Sequence, residues 1–133
     1  MMRFILIFLI TLISISVFAE DCEKQPNMGG VRACLEAQSA SSFETQYESL
    51  INVLKKKKLN EAANTLLKSQ QAWLEYRNTS CRYTYHIAAS ANAGGYPQDI
   101  EANCIADFNT NREKILTRYI KLCEKNKTGC DLK

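Results

Sequence analysis

The sequence predicts an all-α fold: a small, disulfide-stapled antiparallel helical bundle that follows a cleaved signal peptide. Three observations carry this expectation. Apolar residues recur at three- and four-residue intervals over long stretches, and no strand-like alternation of useful length occurs. Turn signals are confined to a few places, chiefly Gly94-Gly95 with Pro97. All six cysteines (Cys22, Cys34, Cys81, Cys104, Cys123 and Cys130) lie beyond an apolar leader. An even set in an exported chain reads as disulfides, not as a metal site or a nucleophile, although spacing alone leaves the connectivity open.

The leader reads "MMRFILIFLITLISISVFAED". Arg3 supplies the positive n-region, and the run from Phe4 to Phe18 is broken only by Thr11, Ser14 and Ser16. Val17 and Ala19 are the small residues that signal peptidase requires, which places cleavage after Ala19. The run is shorter than the roughly 20 residues of a membrane span. Residues 1–19 are thus the predicted signal peptide. Residues 20–133 form one helical domain with a short disulfide-tethered tail, periplasmic or secreted, without a membrane span after cleavage. The formal net charge is +3 and falls by one with Arg3. That balance, with basic residues mostly interleaved among acidic ones, argues against nucleic acid as a partner. A hydrophobic content of 46% supports a globular core.

The first helix is expected from Val31 to about Lys56, where Tyr47, Leu50, Val53 and Leu54 recur at helical spacing and "SASSFE" offers serine caps. Lys55, Lys56, Lys57 and Lys58 then interrupt, either as a turn or as the polar part of one longer helix. From Asn60 the helical pattern strengthens into a second helix. Ala63, Leu66, Leu67, Gln70, Trp73, Leu74, Arg77 and Cys81 keep one stripe, and neither Gly nor Pro intervenes before Gly94. The third begins at Gln98, with Ile100, Cys104, Phe108, Arg112, Ile115, Leu116, Tyr119, Ile120 and Cys123 in rhythm. Trp73 reads as a core anchor, and Arg77, one turn on, as a stem laid on that core with its head on a polar partner. Arg112, two turns past Cys104, reads as a neighbour of the Trp73 layer. Cys104 is the natural partner of Cys81 across the "AGGYP" turn, in a bridge worth on the order of 3 kcal/mol.

"LLKSQQAWLEYRNTSC", the Gly-Gly with its proline, and "CIADFNTNREKIL" together resemble the LprI-type lysozyme inhibitor N-terminal domain. The matching positions are Asp21-Cys22, Cys34, Gln70, Trp73, Arg77, Cys81, Gly94-Gly95, Cys104, Phe108, Arg112 and Leu116. The likeness covers about Asp21 to Ile120. In "FETQYESL", Phe43 and Glu44 stand where the pattern has Leu and Asn, and Asn109 stands where it has Thr. The resemblance implies an exported, disulfide-bonded helical domain, in some members an inhibitor of lysozyme. It implies Cys22–Cys34 and Cys81–Cys104 pairing and leaves Cys123 and Cys130 as a separate bridge. Gln70, Trp73, Arg77 and Arg112 belong to the family motif as scaffold.

The functional expectation is an inhibitor that occludes the cleft of a lysozyme or other peptidoglycan hydrolase. Such enzymes work with two flanking carboxylates, which a protruding loop bearing a hydroxyl or a cation can reach. The candidate contacts are Ser90, Asn92 and Tyr96 around the Gly-Gly turn, or Lys55, Lys56, Lys57 and Lys58. A net positive chain gains no long-range steering toward a cationic lysozyme, which weighs against this reading. The alternative is an envelope or secreted binding module: an immunity factor, an adaptor or a virulence-associated protein. Enzymatic activity is not expected. His86 is the only histidine and has no nucleophile or metal partners in its pattern; Glu75 and the Asp99/Glu101 pair read as solvated. No cofactor and no metal is implied.

Overall fold

The computed structural model describes residues 21–91 and 96–131. The predicted signal peptide, Asn92 and Gly94-Gly95 lie outside the described residues. A short 3-10 turn, Cys22–Lys24, leads into α1 (Met28–Lys56), α2 (Asn60–Ser90) and α3 (Pro97–Glu124). Consecutive helices are antiparallel, so α1 and α3 run parallel. Cross-links record that register: Arg32 pairs with Asp99, Asn109 bonds Ser39, and Lys57 bonds the Asn126 carbonyl, separations of 67 to 70 residues. The α1–α3 pairing is the most extensive, and α1 and α2 touch least.

α1 starts earlier than the periodicity suggested. Asn27 is its N-cap, the side chain accepting from the Gly30 N–H at 2.9 Å. The serines of "SASSFE" do not cap; they lie inside the helix, where Ser39 Oγ turns back to the Glu36 carbonyl. A formed cap upstream and continuous burial against α3 override their local preference.

The lysine run ends α1: Lys55 and Lys56 are its last helical residues, and Lys57 and Lys58 form the turn. Lys58 adopts a left-handed backbone, φ 61°. Its N–H donates to the Lys55 carbonyl, and the Leu59 N–H donates to the Leu54 carbonyl, both at 2.9 Å. This is a Schellman ending, with a lysine where glycine usually stands. Leu59 then packs on the core. At the other end Pro97 occupies the first turn of α3, where its missing N–H costs nothing.

The apolar core sits toward the lysine end, built from Leu50, Ile51, Leu54, Ala63, Leu116 and Cys123. The other half buries fewer of its large apolar side chains, and two of the three disulfides, Cys22–Cys34 and Cys81–Cys104, fasten it. Disulfides close Cys22–Cys34, Cys81–Cys104 and Cys123–Cys130. Small domains with limited cores use such staples. On α3 the buried positions are Ala102, Asn109, Leu116 and Cys123, spaced by sevens. Ile100 and Ile115, expected in the buried stripe, are 41% and 42% exposed. α3 faces two helices at once, so its buried line shifts toward their junction.

Candidate functional site

The middle of the bundle is a polar–aromatic belt. Trp73 on α2 is half-buried rather than a sealed anchor. Its ring meets the fully buried Phe43 of α1 at 5.3 Å between centroids. Two guanidinium groups stack on that indole, Arg77 at 5.3 Å and Arg112 at 5.4 Å.

Each arginine is then tied to a neighbouring helix. Arg77 Nη1 donates to Asn109 Oδ1 at 2.7 Å, and Asn109 Nδ2 donates to Ser39 Oγ at 3.0 Å. One fully buried amide therefore links all three helices. One turn away along α3, Arg112 Nε donates to Gln70 Oε1 at 3.2 Å. Burial lowers the pKa of both arginines; Glu36 and Glu44 partly offset this for Arg77, and Tyr47 does so for Arg112. Both stay cationic, because an arginine begins so far above neutrality.

The motif residues Gln70, Trp73, Arg77 and Arg112 are thus brought together, engaged with one another and with the bundle. Asn109 and Ser39 complete the belt. Asn109 drew notice in the sequence only as a departure from a family pattern, and Ser39 read as a cap candidate. The available signal was the seven-residue spacing that joins Asn109 to Leu116 and Cys123.

The two candidate contact regions are not brought together. Ser90 and Tyr96 lie where α2 gives way to α3. The lysine turn lies at the far end of α2, whose 31 residues span about 45 Å. Of the turn, Lys55, Lys56 and Lys58 are exposed, whereas Lys57 is half-buried and bonded to Asn126. At the α2–α3 end Tyr96 is 71% exposed, and Tyr83, Ile87 and Ile100 also face solvent. The remaining sequence candidates resolve simply. Asp99 pairs with Arg32 and Glu101 with Arg82, while His86 lies edge-on to Tyr85. Among the described residues, no group of His, Cys, Asp and Glu is arranged to hold a metal ion.

The disulfide frame, the Trp–Arg belt and the three-helix register invite comparison with known families. The family model described as lysozyme inhibitor LprI matches residues 20–116. The chain belongs to the LprI family. Within this LprI domain the matched span takes in the Cys22–Cys34 and Cys81–Cys104 bridges, both arginines and Asn109, and ends at Leu116. The Cys123–Cys130 bridge lies beyond it. No curated protein and no solved structure matches the chain.

Proposed function

We propose that the chain is exported, loses residues 1–19, and inhibits a lysozyme-type peptidoglycan hydrolase by binding across its active-site cleft. The observation that carries this reading is the match to the lysozyme inhibitor LprI family over most of the chain. Three disulfides suit an oxidising compartment.

The α2–α3 end is the better contact region. Tyr96, Tyr83 and Ile87 are exposed there, and tyrosine is enriched among interface hot spots, whereas lysine is depleted from interfaces. The phenol of Tyr96 and the hydroxyl of Ser90 are donors that suit a glycosidase carboxylate. Charge placement also reduces the steering objection. The first half of α3 carries Asp99, Glu101 and Asp107 and no basic residue. A cationic enzyme responds to the local field of the face it approaches; Arg32 and Arg82 offset Asp99 and Glu101, and among the described residues the exposed Asp107 is in no ion pair.

The test is the turbidity of a cell-wall suspension, with the oxidised Glu20–Lys133 chain titrated against a panel of lysozymes and other peptidoglycan hydrolases. The expected result is dose-dependent inhibition that disappears on reduction. Tyr96→Ala should weaken it at least about tenfold, and Lys55→Gln with Lys56→Gln should leave it unchanged. A flat response from folded protein would overturn the proposal in favour of a binding module, whose partner would be sought by pull-down.

A further inference from the structure

α3 has two chemically distinct halves. Before Asn109 its charged residues are all acidic; after it stand Arg112, Lys114, Arg118, Lys121 and Lys125 against Glu113 and Glu124. Four of these cations form a line. Lys114, Arg118, Lys121 and Lys125 are spaced by four, three and four residues, which places them along one helix face. That face is opposite the buried line through Ala102, Asn109, Leu116 and Cys123. All four are exposed. Their stems border a shallow depression of about 530 Å³, with Glu113 at its edge. Lys57, bonded to the Asn126 carbonyl, brings the α1–α2 turn beside the end of this row. Exposed Lys55, Lys56, Lys58 and Lys127 therefore gather at the same end of the bundle.

Stability does not account for the row. Like charges four residues apart are mildly destabilising, and Lys114–Arg118 and Lys121–Lys125 are two such pairs. Among the described residues, none of the four belongs to an ion pair. The helix macrodipole favours cations only in the final turn, which covers Lys121 and Lys125 but not Lys114 or Arg118.

We infer that this outward face of α3 is an electrostatic docking surface for a membrane bearing anionic phospholipid headgroups. The side chains select that partner. Three of the four are lysines, which protein–protein interfaces tend to exclude. The face has no row of exposed aromatics on which bases could stack: Tyr119 is only 37% exposed and lies beside the Arg118 guanidinium. A straight row of mobile point charges, about 16 Å long, matches a plane of phosphates. Each lysine near such a surface contributes about fivefold in affinity. Held this way, the bundle keeps its tyrosine-bearing end free for a second partner.

The experiment is co-sedimentation of the oxidised Glu20–Lys133 chain, which contains every described residue, with lipid vesicles. One set is phosphatidylcholine alone and the other phosphatidylcholine mixed with phosphatidylglycerol. Binding is expected only to the mixed vesicles, and it should be abolished at high salt. Lys121→Gln with Lys125→Gln should lower affinity about 25-fold. Removing the same charge elsewhere, with Lys24→Gln and Lys68→Gln, should change it far less. Circular dichroism confirms that each variant is folded. Absence of binding to the mixed vesicles would overturn the inference, as would equal binding to both sets or equal loss in the two paired variants. So would preferential binding of a DNA oligonucleotide in competition with the vesicles.

Discussion

Replacing Asn109 with alanine should be among the most destabilising changes away from the disulfides. The side chain is fully buried, accepts from the Arg77 guanidinium at 2.7 Å and donates to Ser39 Oγ at 3.0 Å. A hydrogen bond to a charged group contributes about 2 kcal/mol and a neutral one about 1. Asn109→Ala removes both and opens a cavity, while Arg77 keeps its bonds from Nε and Nη2 to Asn78 Oδ1, so a loss of about 3 kcal/mol is expected. Urea denaturation of the oxidised chain, followed by far-UV circular dichroism, measures this directly. Asn109→Asp supplies the contrast. Its carboxylate keeps an acceptor for Arg77 and accepts from the Ser39 hydroxyl, so the loss at neutral pH should be smaller. Arg77 would depress that carboxylate's pKa, and the retained stability would disappear as pH falls through the depressed value. A loss below about 0.5 kcal/mol for Asn109→Ala would refute the claim that this amide fastens the three helices.

Three further predictions rest on separate features. Burial raises the Tyr47 pKa above its usual 10.0 against the opposing pull of Arg112. The unfolded chain therefore releases that proton first, so stability falls as pH rises past about 10; Tyr47→Phe should flatten this alkaline limb in pH-dependent denaturation. Lys58 holds a left-handed backbone at the end of α1, so Lys58→Gly should stabilise the chain by about 1 kcal/mol in the same assay. Replacing both Cys81 and Cys104 with alanine opens a loop of 23 residues and should cost about 3 kcal/mol. That is more than the paired replacement of Cys123 and Cys130, whose loop spans 7 residues, and calorimetry would rank the two.

What the sequence determined by itself was what local chemistry controls. The stripe from Ala63 to Cys81 marked α2 as one long helix, because neither Gly nor Pro interrupts it. Pro97 after two glycines marked the entry to α3 for equally local reasons. The bond from Cys81 to Cys104 followed because two antiparallel helices joined by a short turn bring those positions together. Tertiary structure decided the rest. Whether "KKKKLN" was a turn or mid-helix depended on the Leu59 side chain finding the core, since lysine has no local preference for a left-handed backbone. Ser39 and Asn109 became buried partners only because α1 and α3 run parallel, a relation between elements some 70 residues apart. The same parallel register set the lysines of the α1–α2 turn beside those of α3, about 45 Å of helix away from the tyrosine end. In the linear sequence the charges read as a mild, interleaved mixture; folding adds the lysines of the α1–α2 turn to the basic half of α3, while Arg32 and Arg82 stay paired with acids at the opposite end.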